Sequence, residues 1–152
     1  VTVLLMIRVG EKVLQKVGAK KPMLLGTTFN MIGIILISFT FLPSALYVVV
    51  CIIGYLLYGL GLGFYATPST DMAISNSPED KVGVASGIYK MASSLGGAFG
   101  IALSGALYGV VTEATNVKFG AMAGLWLNVL MALLSFVIIL LAVPSFKKQN
   151  RA

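Results

Sequence analysis

The reading of the fold turns on Pro22 to Thr70, PMLLGTTFNMIGIILISFTFLPSALYVVVCIIGYLLYGLGLGFYATPST, 49 residues without one charged side chain. About 20 apolar residues are enough to cross the hydrocarbon of a bilayer. The run is therefore long enough for two helices, and Pro43-Ser44-Ala45 supplies a turn between them. The first span is expected at about 22–42 and the second at about 46–67, closing at Thr67-Pro68 because a proline disfavours helical geometry in the residue before it.

Outward from this run the same arithmetic repeats. No charge occurs between Lys90 and Glu113 or between Lys118 and Lys147. These gaps predict a third span at about 83–110 and a fourth at about 121–143, closed by Pro144. The fold class is thus all-α and integral to the membrane, a polytopic helical bundle. Ser77-Pro78-Glu79-Asp80 is expected to start the third helix, with Ser77 as N-cap, Pro78 first in the helix and Asp80 at the reciprocal position. Val1 to Ile7 is apolar but too short to cross, so residues 1–9 read as the end of a truncated membrane helix and the chain as the C-terminal part of a longer protein.

Lys and Arg counts in short loops set orientation. The 10–21 loop carries Lys12, Lys16, Lys20 and Lys21, the 144–152 tail carries Lys147, Lys148 and Arg151, and the 43–45 turn carries none. Both basic segments are expected on the cytoplasmic side of the cell membrane, with the 43–45 turn and the 112–120 loop outside. The formal charge of +6 follows from this juxtamembrane placement and calls for no nucleic-acid partner.

Several chemistries are excluded. With no His, a Ser-His-Asp triad or a zinc-binding H-E-x-x-H helix cannot be built from this chain. Cys51 alone permits no intrachain disulfide and no Cys-rich metal site. Neither an enzyme nor a cofactor or metal protein is expected. Gly59 to Gly63 carries alternating glycines, but Phe64 stands where a dinucleotide loop needs its last Gly.

The helix faces carry what function can be read from residues. Glycines number two in 22–42, four in 46–67, seven in 83–110 and one in 121–143. Small residues let membrane helices approach closely, so the second and third spans are expected to be central and the first and fourth more exposed to lipid. On the second span Tyr47, Gly54, Tyr58, Gly61 and Tyr65 share a face. That face reads either as packing with interfacial tyrosines or as the lining of a substrate pathway, with open space beside the rings at the glycines. On the third span Ser86, Lys90, Ser94, Gly97, Ser104 and Tyr108 form a polar stripe. Lys90 is the one charge inside a predicted span. It either snorkels to the interface or faces water or another helix. Glu79 and Asp80 read as capping and solvated groups, and Asp71 stays open.

The loop Glu11-Lys12-Val13-Leu14-Gln15-Lys16-Val17-Gly18-Ala19-Lys20-Lys21 resembles the second copy of the G-x-L-x-D-R-x-G-R-K loop of the major facilitator superfamily. Lys16, Gly18 and Lys20 match it, whereas Glu11 replaces its first Gly and Gln15 its Asp. Gly83-Val84-Ala85-Ser86-Gly87 through Leu95-Gly96-Gly97-Ala98-Phe99-Gly100 is similar to the penultimate span of fourteen-span drug:proton antiporters. The resemblance implies a proton-coupled multidrug efflux transporter of quinolone-type and other hydrophobic or amphipathic drugs, working by alternating access. It implies that 46–67 lines a cavity, that 83–110 lies between two halves, and that 22–42 and 121–143 are outer supports. The pathway residues would be Tyr58, Tyr65, Gly54, Gly61, Ser86, Lys90 and Gly97, with Lys16, Gly18 and Lys20 in a cytoplasmic gating loop. Partners would be drugs, protons, the lipid bilayer and the N-terminal half of the same protein. The alternative from the residues themselves is a non-transporting membrane scaffold or channel subunit.

Overall fold

A computed structural model describes residues 18–143, which form four α-helices and, among the described residues, no strand. They are α1 (Lys20–Ile37), α2 (Ser44–Ser75), α3 (Val82–Ala114) and α4 (Val117–Ala142), with a single 3₁₀ turn, Glu79–Lys81, leading into α3. The expected helix at 1–9 and the basic tail at 144–152 lie outside the described residues. Three helices are long and apolar enough to cross a membrane: 44–75, 79–114 and 117–142. At 1.5 Å per residue, the 18 residues of α1 reach only about 27 Å, and the helix opens on Lys20 and Lys21.

The helix ends follow local chemistry, and some depart from expectation. Pro22 sits in the first turn of α1, where the backbone N–H has no intrahelical partner to lose. α2 does not stop at Thr67-Pro68 but runs through it for two further turns. Pro68 is fully buried there, and in an apolar setting an open backbone has no water to bond, so the helix continues past its proline. Ser77 does not cap α3: its Oγ donates back to the Ala73 carbonyl at 3.1 Å, finishing α2. Pro78 is the residue before the 3₁₀ turn, and no side-chain cap bond forms there. α4 begins at Val117, earlier than expected, because Asn116 Oδ1 accepts from the amides of Lys118 and Phe119 at 3.0 and 3.1 Å.

Packing runs in the order α2, α1, α4, α3. The seam between α1 and α2 is made by two glycine pairs seven residues apart. A Cβ placed on Gly26 would lie 2.7 Å from the Gly61 carbonyl oxygen, and one on Gly61 would lie 2.6 Å from that of Gly26. The same reciprocity joins Gly33 and Gly54, at 2.7 and 2.9 Å. Only a Cα hydrogen fits at these four points. Each such Cα–H···O contact contributes about 0.5–1 kcal/mol. α4 repeats the device against α3, where Gly120 abuts Thr112 and the Tyr108 carbonyl, and Gly124 abuts the Ser104 carbonyl. The expected centrality of the second and third spans is reversed within this chain: α1 and α4 hold the middle, and α2 and α3 barely touch. The spacing of glycines told which faces are small but not which neighbour fills them.

The distribution of polarity is inside out. Many buried positions are small or polar, including Gly54, Gly61, Thr27 and Ser69, while Phe99, Val110, Ile101 and Leu141 are 60 to 79% exposed. Water would penalise that arrangement and lipid does not. At one end of the layer Lys20 Nζ donates to the Leu140 carbonyl at 2.8 Å, tying the start of α1 to the last turn of α4. Beside it Ala19, Met23 and Ile139 form a small core against Tyr65 and Met72. At the opposite end Thr40 donates to the Lys118 carbonyl at 3.0 Å, and Phe41 meets Phe119 edge to face at 4.9 Å. The two connections read as outer loops therefore share one end of the layer, and the start of α1 and the end of α4 share the other.

Candidate functional site

α2 and α3 are held together where the chain passes between them and part further along. The tie is a hydroxyl pair, Ser69 Oγ and Tyr89 Oη, 2.8 Å apart. Beyond it, a cleft of about 800 Å³ opens between α2, α3 and α4, lined by Tyr58 from α2, by Gly96, Gly97, Gly100 and Ser104 from α3, and by Leu127, Asn128 and Met131 from α4. The glycines of α3 enlarge it by withholding side chains. A second cavity of about 270 Å³ adjoins, between α1, α2 and α4, and Tyr58 and Asn128 line both. The lining is chiefly apolar, with a phenol, a carboxamide and a hydroxyl as its polar points. That suits an amphipathic guest.

Of the residues picked out in the sequence, Tyr58 and Gly97 line this cleft. Gly54 and Gly61 do not leave space beside the tyrosine rings. Their small faces are filled by α1, Gly54 by Ile37 and Gly33, Gly61 by Asn30 and Gly26. Tyr65 packs on Ala19, Met23 and Ile139 and lies against Gly26. Tyr47 donates its hydroxyl to the Ile37 carbonyl at 3.1 Å, satisfying the end of α1. Ser86 is half-buried and Lys90 is exposed, on the face of α3 that carries Gly97 and Ser104 toward the cleft. Asp71 is exposed beside Thr67 and Thr70 in a shallow depression on α2.

In the basic loop, Lys16 lies outside the described residues. Gly18 is buried with φ of 77°, a left-handed conformation that disfavours any side chain by about 1–2 kcal/mol, and it turns the chain into α1. Lys20 spends its ammonium on the carbonyl end of α4, where the helix dipole is negative.

A model of the Major Facilitator Superfamily matches residues 1–152. The chain belongs to the major facilitator superfamily. Within that superfamily it is 68% identical over 150 residues to the quinolone resistance protein NorB of Staphylococcus aureus strain bovine RF122 / ET3-1, an overlap of 99% of this chain and 32% of that protein. The NorB proteins of strains MRSA252 and JH9 are each 67% identical over the same share of both chains. The chain thus spans about a third of the length of the curated relatives it matches.

Asn128 is the site residue that reading the sequence missed, in this superfamily member's most apolar helix. Its Nδ2 donates to Ser104 Oγ at 2.9 Å across to α3 and to the Gly124 carbonyl at 3.0 Å along its own helix. The signal was available: a carboxamide in the middle of a span needs partners, because lipid provides none. Asn30 Oδ1 and Thr112 Oγ1 are buried without a hydrogen-bond partner among the described residues, each pressed against a glycine of the neighbouring helix.

Proposed function

We propose that this chain is the C-terminal part of a proton-coupled multidrug efflux transporter of the cell membrane, exporting quinolones and other amphipathic drugs by alternating access. The observation that carries the reading is the cleft walled by Tyr58, Gly97 and Asn128 in a member of a superfamily whose matched relatives are named for quinolone resistance. α2, α3 and α4 supply that wall. Gly54, Gly61 and Tyr65 serve it from behind, by clamping α2 to α1. The open small-residue face of α3 receives the N-terminal half of the protein. Ser86 and Lys90 continue the cleft face toward the end where Gly18 and Lys20 stand, which we assign to the cytoplasm together with Lys16 and the C-terminus.

Acidic groups that carry the proton are placed in that other half, since the expected membrane-spanning stretches here hold no carboxylate. A cavity-facing ammonium at Lys90 favours zwitterionic or acidic cargo over purely cationic cargo. The test is energised efflux of a fluorescent quinolone from cells carrying the intact gene. Accumulation should fall several-fold against cells lacking it, and a protonophore should abolish the difference. Equal accumulation at equal expression would overturn the reading and leave a membrane scaffold or channel subunit. Lys90→Ala should reduce export of zwitterionic quinolones more than that of monocations; unchanged export of every substrate removes Lys90 from the pathway.

A further inference from the structure

Asn128 stands where the two cavities meet, and its hydrogen bonds fix which of its ends faces them. The Gly124 carbonyl can only accept, so the carboxamide atom 3.0 Å from it is the nitrogen. That nitrogen has two hydrogens, and the second goes to Ser104 Oγ at 2.9 Å. Both donors are thereby used inside the bundle. Among the described residues Oδ1 accepts no bond, yet it is not one of the orphaned buried atoms, Asn30 Oδ1 and Thr112 Oγ1. It is open to the space that Asn128 lines together with Tyr58. What Asn128 itself presents at this point is a fixed acceptor with no donor of its own to spare, beside the Tyr58 ring.

We propose that Asn128 is a specificity-determining residue of the transport cavity, its carboxamide oxygen accepting a hydrogen bond from the N–H of a protonated amine on the cargo, with Tyr58 as the aromatic surface beside it. This rests on the transporter reading above and adds to it a chemical selection. Amphipathic cations bearing an N–H are favoured over quaternary ammonium ions of nearly the same shape, because the latter offer no hydrogen to an acceptor that cannot turn round. An aromatic face attracts both kinds of cation alike, so Tyr58 supplies affinity without this discrimination.

The experiment uses the full-length protein in lipid nanodiscs and two fluorescent probes, a naphthylalkyl dimethylamine protonated at neutral pH and its N-methylated trimethylammonium counterpart. Wild type should bind the first about fivefold more tightly, the value of one net hydrogen bond of about 1 kcal/mol. Asn128→Leu should bring the two affinities together with the trimethylammonium affinity retained. Ser104→Ala should keep the preference, since the Gly124 carbonyl still orients the amide. Where Asn128→Leu fails to fold, Asn128→Ala, which also lacks an acceptor, is read in its place with the same expectation. Equal affinities in wild type, a preference surviving at position 128 without Asn, or Ser104→Ala behaving like Asn128→Leu would each overturn the proposal. The last outcome would reduce Asn128 to a tie between helices. Proton-driven efflux is measured separately: its absence with the binding preference intact overturns the transporter reading alone.

Discussion

Two glycine-rich helices of similar length, α2 and α3, use their glycines in opposite ways. In α2, Gly54, Gly59, Gly61 and Gly63 are all buried, and a β-carbon at Gly54 or Gly61 would strike α1. In α3, none of the seven glycines has a neighbour within 4 Å of where a β-carbon would stand, and no residue of the helix is buried. A small-residue face is a capacity for close approach. Whether it is exercised depends on a partner of matching register. α1 provides one for α2 by repeating glycine at the same interval of seven; the side of α3 away from α4 meets none among the described residues.

Substitutions can break this contrast at either end. The largest effect is expected for Gly61→Val, whose side chain meets the Gly26 backbone and Asn30 together; overpacking there should cost about 3 kcal/mol, read as a fall in thermal midpoint in detergent. Tyr89→Phe removes the hydroxyl pair with Ser69 that joins the two helices and should cost about 1 kcal/mol. A double-mutant cycle with Ser69→Ala checks it, and additive losses would show that the hydroxyls do not interact. Gly96→Ala has open space around it and should stabilise the helix slightly, by about 0.5 kcal/mol, through helix preference. A loss of stability for the isolated chain at Gly96 would mean that α3 is as closely covered as α2. Lys20→Met should cost least, about 0.3 kcal/mol, as the end of α4 loses its cation. The loss should shrink with added salt.

The four described helices fall largely on the uncharged runs of the sequence, and three of them are long and apolar enough to cross a membrane; charge is costly in lipid, so its gaps mark candidate spans. Their neighbours were not legible in this way. Periodicity places Gly54, Tyr58 and Gly61 on one face, but the same face could as well border a cavity as another helix, and only the heptad match with Gly26 and Gly33 selects the second. That match was in the sequence and is visible when two spans are compared with each other rather than each scanned alone. Pro68 misled because proline's rule as a helix stop is learned where water can bond the freed carbonyl. Tyr58 and Gly97 were found by face and spacing. Asn128 was passed over because the apolar fourth span read as an outer support, so a single carboxamide in it drew no notice.

The order α2, α1, α4, α3 also bears on how the protein is made. α1 and α2 are consecutive in the chain and can zip together as soon as both have left the ribosome, through glycines that face one another across a six-residue connection at residues 38–43. α3 follows, but its principal neighbour, α4, is synthesised after it. For the time needed to make Val117 to Ala142, α1 and α2 hold α3 by little more than one hydroxyl pair among the described residues. Within this segment α3 is therefore completed by the helix made after it, and a chain stopped short of α4 should present the bare α4-facing side of α3 to the quality-control machinery of the membrane.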